Sequence, residues 1–358
     1  MRFMNEVLPE IAPRLKRLWS VICKRIVSAG NRRERRLNLG DSSAVIPRMR
    51  LHSPRILAAA ALGFFAAGAP ALGWDAAGHM LVGQIAWEAS SPEVREKVNA
   101  LVSTLDSRFN EAQPYHFVTV GCWMDDLRSL PRKEYPWSAW HYINADKTED
   151  GSQFKIPEPP HVVWAIGENL KTLRDAAATK EQRATALGQL FHWVGDIHQP
   201  LHATTWDDRG GNGYGIMGVP FNDLLPGMSA NLHTYWDKAF RFDARDGAIV
   251  EAWMCPSVAE RPKSGAEGVI WEQGKRLIER HPKSEFPELN EPTGAETWAR
   301  ESHILGCTKA YPPGDHPRDT EVRKLAPDWI AGNRPIAEKR VVLAGYRLAK
   351  LLETIFAK

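Results

Sequence analysis

The chain has 358 residues, of which 43% are hydrophobic and 25% are charged. This mixture is typical of a globular protein and excludes a peptide hormone, a disulfide miniprotein and a chain that is disordered throughout. Residues 1–73 hold 13 Lys and Arg against 4 Asp and Glu, whereas residues 74–358 hold 33 against 39. The net charge of +3 therefore hides a mildly acidic body, which does not support a broad basic groove for nucleic acid.

The N-terminal part of the chain has the features of an export signal. A basic stretch ends at Arg55, an apolar run follows over 56–67, and small residues close the segment at Gly73. Because the apolar run is short for a bilayer span, residues 49–73 are predicted to be a secretory signal peptide cleaved after Gly73, rather than a membrane anchor. Residues 1–48 are either a long basic leader or an upstream over-extension of a reading frame that starts at Met49, and we prefer the second interpretation.

Cleavage after Gly73 would leave residues 74–358 as an exported domain, periplasmic or secreted, with no membrane anchor. An oxidising compartment permits disulfide bonds, and three cysteines remain in this part of the chain. We predict a bond between Cys255 and Cys307, which leaves Cys122 unpaired.

Helical patterns dominate the exported part and predict a single all-α domain. Ser91 followed by Pro92 is typical of a helix start, with a capping hydroxyl and a proline at the first helical position. The stretches 131–160 and 204–228 are rich in Pro, Gly, Asp and Asn, which favours loops. The predicted helices are Ala76–Ala89, one that begins at Pro92, Val162–Ala178, Glu181–Gln199, Asn231–Phe240 and Ile336–Phe356.

The predicted helix 181–199 carries the most informative segment, FHWVGDIHQPLH. His192 and Asp196 lie four residues apart, so a helix places both on one face, opposite an apolar face. Gly188 and Gly195 flank this pair and leave room for a bulky neighbour. A proline ends the helix, and His202 follows directly.

A second segment, NLHTYWD, repeats the spacing with His233 and Asp237. A single His-x-x-x-Asp pair is weak evidence, because short motifs often match by chance. Two such pairs, with a further histidine after a helix-ending proline, predict a site for a divalent metal. Neutral imidazole and carboxylate are ligands that suit zinc.

These motifs resemble those of the S1/P1 nuclease family, secreted enzymes with three zinc ions that cut single-stranded DNA and RNA. The resemblance covers essentially all of 74–356 and implies a single-domain helical bundle of the phospholipase C/P1 nuclease type. The motifs in family order are WDAAGH, WMDDLR, WHYINAD, HWVGDIHQPLH and NLHTYWD, together with GGN at 210–212 and AGYRLAKLL at 344–352.

The resemblance also implies which residues hold the three zinc ions of each chain. It gives Asp125, His141, His192 and Asp196 to the first ion, the α-amine and carbonyl of Trp74 with His79 and Asp196 to the second, and His202, His233 and Asp237 to the third. The Trp74 amine can bind a metal only when it is free, so cleavage after Gly73 would create a ligand.

Other residues near the motifs are candidates for contacts with the substrate. Arg128 is a candidate partner of a phosphate oxygen, against the alternative of an ordinary surface arginine. Asn144, where the family usually has Asp, and Asp146 are candidates for steering water or ribose. Tyr214 and Phe221 are candidate platforms for a base of a splayed strand, against the alternative of packing within their loop.

The remaining histidines fit no ligand position of the family. His198 lies inside the zinc motif, and its role stays open. The others are expected to be structural or solvated: His116, His161, His281, His303 and His316.

By resemblance, the protein is a zinc-dependent endonuclease that gives 5′-phosphorylated products, has 3′-nucleotidase activity and has no stable protein partner. Two alternatives stay open. A zinc phospholipase C is related in fold and in its N-terminal tryptophan ligand, but it would need an apolar rim that faces lipid. A zinc-binding protein without catalysis would bind zinc and cleave no phosphoester.

Overall fold

The structure is a computed structural model that describes residues 74–107, 114–217, 231–239, 269–291, 294–314, 316 and 321–357. All of these lie in Ala69–Lys358, the second of two units into which the chain divides. The predicted signal peptide, the extension 1–48, Phe221 and Cys255 lie outside the described residues.

The described part of the chain is predominantly helical, which confirms the predicted all-α class. Its α-helices are α1 (Ala76–Ala89), α2 (Pro92–Val102), α3 (Trp123–Asp126), α4 (Val162–Arg174), α5 (Lys180–Asp196), α6 (Pro200–Ala203), α7 (Leu232–Lys238), α8 (Val269–Arg280), α9 (Ala295–Leu305) and α10 (Pro327–Phe356). Two short parallel strand pairs accompany them, β1 (Ala145–Asp146) with β2 (Thr204–Thr205), and β3 (Gly215–Met217) with β4 (Val322–Lys324).

The helix starts follow local sequence chemistry closely. α1 has the predicted bounds, and the Ser91 hydroxyl caps α2 by accepting the N–H of Val94. α5 begins with a capping box, in which Thr179 and Gln182 each bond the other's backbone. These starts depend on neighbouring residues alone, so the sequence predicts them well.

The helix ends deviate more from prediction. The helix predicted over 181–199 ends at Asp196, because the Gln199 side chain accepts the N–H of Leu201 and starts the separate helix α6. One start deviates as well: α10 begins at Pro327 rather than at the predicted Ile336. It continues through Pro335, although an internal proline removes one helical hydrogen bond. α8 and α9 are additional to the predicted helices.

The segments that carry predicted metal ligands include the deeply buried helices α1 and α5. α1 is buried on all sides from Ala77 to Ala86, and it packs against α5, α8 and α10. At its crossing with α10, a Cβ on Gly345 would lie 2.6 Å from the Cβ of Ile85, so this close approach requires glycine. The second half of α5 is likewise buried, including the face that carries His192 and Asp196.

The predicted disulfide bond between Cys255 and Cys307 is not formed in the structure, because Cys307 is a free and buried thiol. Its Sγ lies 3.4 Å from Nε2 of His303 and accepts the N–H of Thr148 at 3.4 Å. Cys122 is also buried and takes part in no disulfide bond, as expected. None of the helices within the described ranges combines the length and the apolar character needed to cross a bilayer.

Candidate metal centre

Four structural elements bring the first group of predicted ligands together. His79 lies on α1, Asp125 on α3, and His192 and Asp196 lie one turn apart on α5. His141 ends the 3-10 turn Ser138–His141, just before β1. Because these segments are far apart in sequence, only the packing of α1 against α5 places their side chains around one point.

Asp196 lies at the middle of this group and is fully buried. Its Oδ2 is 2.8 Å from Nδ1 of His141 and 3.1 Å from Nε2 of His192. Its Oδ1 is 3.4 Å from Nε2 of His79. Asp125 completes the group, with Oδ1 3.7 Å from Nε2 of His192. A single carboxylate therefore faces three imidazoles, which is the geometry expected of a ligand shared between two ions.

A second group lies beside the first. Ligand atoms of His202, His233 and Asp237 lie within 4.8 Å of one another. Asp237 is oriented by Gln199, whose Nε2 donates to its Oδ1 at 2.8 Å. Asp196 Oδ2 lies 3.9 Å from Nδ1 of His202, so the two groups adjoin.

Three of the imidazoles are held by backbone carbonyls. In each ring Nδ1 donates a hydrogen bond of 2.6 Å, which fixes the tautomer and leaves Nε2 as the possible metal ligand. These bonds run from His192 to Gly121, from His202 to His141 and from His233 to Gly210. Glycine at 210 has φ +65°, a left-handed conformation that a side chain would strain.

His141 differs from these three histidines, because a side chain holds its ring and does so through Nε2 rather than Nδ1. Its Nε2 shares a hydrogen bond of 2.6 Å with the hydroxyl of Tyr135, and its Nδ1 faces Asp196. Tyr135 is not in any motif that the sequence singles out, and no spacing signal identifies it. Its role follows only from the loop 131–141 folding back on the centre.

The arrangement of buried donors fits a bound cation. Both ring nitrogens of His79 and Oδ1 of Asp196 are buried and form no hydrogen bond. Buried polar atoms are normally satisfied, so these atoms fit the ligand sphere of a metal ion. The donors are imidazole nitrogens and carboxylate oxygens without a thiolate, a set that suits zinc.

The electrostatics of the first group favour the protonation states that bind a metal. Burial lowers the pKa of His141 to about 3, with the Arg128 charge as the next cause. Burial also lowers the pKa of His79. Burial opposes ionisation of Asp196, but the charges of His192 and His202 outweigh it and hold the pKa of this carboxyl well below its usual range.

Two groups hold a proton more firmly. Burial raises the pKa of Asp237 well above its usual value. Burial opposes protonation of His192, but Asp196 and Asp125 outweigh it and raise the pKa of this imidazole. Since a ligand must be deprotonated, metal binding at these residues releases protons.

The predicted substrate-contact residues fall into different settings. Arg128 is not an ordinary surface arginine, because its side chain is 11% exposed and its Nε lies 3.1 Å from Oδ1 of Asp125. Asn144 is half-buried with φ +55°, and its Oδ1 lies beside Gly210. Asp146 is exposed on β1 and pairs with Thr205.

Tyr214 does not offer a face to a base, which corrects the prediction made from its loop position. Its side chain is fully buried, and its ring packs edge-on against His316 at 5.4 Å and near Tyr311 at 6.0 Å. A half-buried aromatic is instead present at Tyr142, directly after the predicted ligand His141. The signal for it in the sequence is this adjacency alone.

The other buried histidines have structural partners. His161 accepts the N–H of Trp164 at the start of α4, and His281 contacts Glu338 at 3.1 Å. His198, whose role the sequence leaves open, donates from Nδ1 to the carbonyl of Val194. It therefore braces the C-terminal turn of α5 rather than facing the metal centre.

A buried ionic network behind the centre is not predicted from the motifs. Glu301 on α9 accepts two hydrogen bonds from Arg347 at 2.7 Å and one from Arg340 at 3.0 Å, both on α10. Arg347 also donates to Nε2 of His198 at 2.9 Å, and Arg340 donates to the His198 carbonyl at 3.1 Å. The network thus joins α9 and α10 to the turn between α5 and α6.

Comparison with known proteins agrees with this geometry. The profile described as S1/P1 nuclease matches residues 74–357. Nuclease P1 of Penicillium citrinum is 25% identical over 294 residues, 79% of this chain and 97% of that protein. Nuclease S1 of Aspergillus oryzae is 24% identical over 297 residues, 79% of this chain and 92% of that protein. Endonuclease 3 of Arabidopsis thaliana is 26% identical over 297 residues, 80% of this chain and 90% of that protein. The chain therefore belongs to the S1/P1 nuclease family, and it is a hydrolase that cuts phosphodiester bonds.

Proposed function

We propose that this nuclease is an exported zinc enzyme that cuts single-stranded DNA and RNA, leaves 5′-phosphorylated products and also dephosphorylates 3′-nucleotides. One observation carries the proposal: two buried groups of imidazoles and carboxylates adjoin through Asp196, and both ring nitrogens of His79 and Oδ1 of Asp196 are buried there without a hydrogen bond. The S1/P1 family is zinc-dependent in general, and this donor set suits zinc.

We assign three zinc ions to the centre. The support is that three groups of ligand atoms each lie within 4.8 Å, namely His79, Asp125 and His192; His141, His192 and Asp196; and His202, His233 and Asp237. The first two of these groups share His192, whereas the sets expected from the sequence share Asp196 and assign Asp125 with His141. We keep the expected sets, because Asp196 Oδ1 faces His79 and its Oδ2 faces His141.

Trp74 is the ninth proposed ligand, through its α-nitrogen and carbonyl. Its side chain is fully buried, and a Cβ on Gly195 would lie 3.6 Å from its ring. The N–H of Asp75 donates to the carbonyl of Asp237, which tethers this end of the domain to the second ligand group. Cleavage after Gly73 would free the α-amine at this position. Removal of the signal would therefore complete the set of metal ligands.

Different residues at the centre would have different roles in the reaction. Bound zinc ions would supply Lewis acidity for activating water and for stabilising the leaving 3′ oxygen. Arg128, beside Asp125, would contact a phosphate oxygen of the strand. Asn144 and Asp146 would orient the ribose or a water near Gly210. Asp196 would hold the adjoining imidazoles in fixed positions, because its carboxylate faces all of them.

The preference for single strands would follow from burial of the ligands. His141, His192, Asp196 and His202 are fully buried, so the backbone of a stiff duplex would not reach them. A splayed strand could place its phosphate inward and stack a base on Tyr142, the half-buried ring next to His141.

The test uses exported protein with its N-terminus sequenced. It is assayed on single-stranded DNA, RNA, a 3′-mononucleotide and phosphatidylcholine, with and without a zinc chelator. We expect an N-terminal Trp74, about three zinc ions per chain and chelator-sensitive release of 5′-phosphorylated nucleotides. Cleavage of lipid alone would replace the proposal with a phospholipase, and bound zinc without any cleavage would leave a zinc-binding protein.

A further inference from the structure

A cavity of about 510 Å³ lies where β1 and β2 lead away from the metal centre. The chain runs from His141 through β1 to Lys147, and from His202 through β2 to Trp206, and both end residues line the cavity. At about 3.3 Å per extended residue, these segments reach at most about 20 Å. The cavity is therefore within reach of a strand bound at the centre. We call it the lysine cavity.

The lining of the lysine cavity is basic and aromatic. Among the lining residues that the structure describes are Lys147 and Lys309 and the rings of Trp206, Tyr311 and Trp329, and none of those described residues carries a carboxylate. This differs from residues 74–358 as a whole, where Asp and Glu outnumber Lys and Arg. Lys147 Nζ lies 4.5 Å from the ring centroid of Trp206, so a cation and an aromatic face are presented together.

The aromatic wall is held in place by bonds that also reach the metal centre. The N–H of Trp206 donates to the Tyr311 hydroxyl at 3.1 Å, and that hydroxyl donates to Oδ1 of Asp208 at 2.8 Å. The same Oδ1 accepts the N–H of Gly211 at 2.8 Å, and the Gly211 carbonyl accepts the N–H of His233. The cavity and a predicted ligand thus share one rigid loop.

We infer that the lysine cavity is a second nucleotide subsite, which binds a nucleotide of the same single strand away from the bond that is cut. Its phosphates lie against Lys147 and Lys309, and its base lies in the aromatic wall at Trp206. Stacking on a ring together with a nearby cation is the common way in which proteins hold single strands without reading sequence. The inference rests on the proposed function, because it assigns the occupant of the cavity to that substrate.

The experiment compares a long with a short substrate. The double variant Lys147→Gln/Lys309→Gln removes both charges, and Lys180→Gln is the matched control, since Lys180 is exposed at the far end of α5. We expect the ratio of kcat/KM for a ten-nucleotide strand to that for a 3′-mononucleotide to fall roughly tenfold in the double variant. The salt dependence of strand binding should weaken by about 1.4 in log–log slope, for two lost phosphate contacts.

Position along the strand gives a second measurement. A neutral methylphosphonate linkage is moved stepwise away from the scissile bond. At one position distant from the scissile bond, the neutral linkage should lower the kcat/KM of the unmodified protein. The same linkage should leave the kcat/KM of the double variant unchanged. Replacement of the base there by an abasic sugar should also weaken binding, which distinguishes a nucleotide from a phosphate ion held by the lysines alone.

Clear results overturn the inference. An unchanged substrate ratio does so, as does an equal loss in the Lys180→Gln control. If Lys147→Gln impairs folding, seen as loss of turnover of the 3′-mononucleotide, Lys309→Glu alone carries the test, because Lys309 is exposed and reversal of its charge should lower the ratio further. If the unmodified protein cleaves no nucleic acid, the proposed function fails. Strand binding by zinc-loaded protein, compared with that of the double variant, then still tests whether the lysine cavity binds a nucleotide.

Discussion

The imidazoles of the centre are held in two ways. Those of His192, His202 and His233 each donate a hydrogen bond to a backbone carbonyl that fixes the ring, and that of His141 bonds the Tyr135 hydroxyl. His79 forms no such bond and stacks on His192 at 3.9 Å between ring centroids. Gly195 lies at the edge of its ring, so the position of His79 depends on the absence of a side chain there.

Gly195→Ala should therefore damage the centre without removing a ligand. The new Cβ would lie 2.8 Å from Nδ1 of His79, and such overpacking costs about 1–3 kcal/mol. We expect about a tenfold or greater loss in zinc affinity, measured by titration against a metal buffer. Gly167→Ala on α4 is the control, because its Cβ would meet nothing within 4 Å, and it should leave affinity unchanged. Equal affinity in the two variants would refute this reading of His79.

Tyr135→Phe removes one oxygen and keeps the ring. Nε2 of His141 would lose the hydroxyl that holds its ring in place. Loss of a partner that orients a ligand typically lowers metal affinity about 10- to 100-fold. We expect a higher zinc concentration at half-maximal activity, with kcat at saturating zinc less affected. An unchanged zinc requirement would show that Tyr135 only packs against the ring.

At the scale of elements, the turn between α5 and α6 carries the most functional information. It places Asp196 at the end of one helix and His202 on the next, with Gln199 capping α6 and orienting Asp237. Glu301 and its two arginines hold this turn from behind, through the ring and carbonyl of His198. A change in this network should reach the centre without touching a ligand.

Glu301→Gln should destabilise the fold by about 2 kcal/mol at pH 7, because two buried guanidinium groups lose their counterion. Burial opposes ionisation of Glu301, but the hydrogen bonds of Arg347 and the charge of Arg340 outweigh it and lower the pKa below 4.5. A lowered carboxyl pKa contributes stability above the unfolded value, and this contribution is lost as the pH falls through the folded value.

Urea unfolding of chelated protein from pH 7 to about pH 3.5 measures this contribution without interference from metal loss. The unmodified chain should lose stability more steeply than Glu301→Gln over this range. Glu168→Gln is the control, since its partner Lys171 is exposed and such pairs contribute little. Parallel curves for the unmodified chain and Glu301→Gln would contradict the network's role.

For the whole molecule, the proposed metal ions should act as part of the core. The predicted ligands come from α1, α3, α5, α6 and α7, so ions that bind only the folded state would tie half of the described α-helices together. At a hundredfold excess over Kd, each site would add about 2.7 kcal/mol to the free energy of unfolding.

Removal of zinc should therefore lower Tm, and zinc added back should restore it. Circular dichroism during heating gives Tm with zinc, with chelator and after restoration. Asp196→Ala should blunt the response, because Asp196 faces imidazoles of both ligand groups. An identical Tm with and without chelator would show that the ligand groups are preformed and contribute nothing to stability through metal.

Much of the fold and of the first ligands can be predicted because the signals are local. The bounds of α1, the cap at Ser91 and the pairs His192/Asp196 and His233/Asp237 all follow from residues within one helical turn. Helix ends are harder to predict, since α5 stops at Asp196, four residues before Pro200, and α10 continues through Pro335.

The sequence by itself determined the helical class, the ligand types and, through its motifs, the family. Tertiary structure alone decided that Tyr135 fixes His141, that Tyr214 is buried and unavailable to a base, and that Glu301 supports the turn after α5. The physical reason is distance along the chain. A cap or a helix face depends on residues three or four positions apart, whereas hydrogen-bond partners and burial depend on which distant segments pack together, and no local spacing records that.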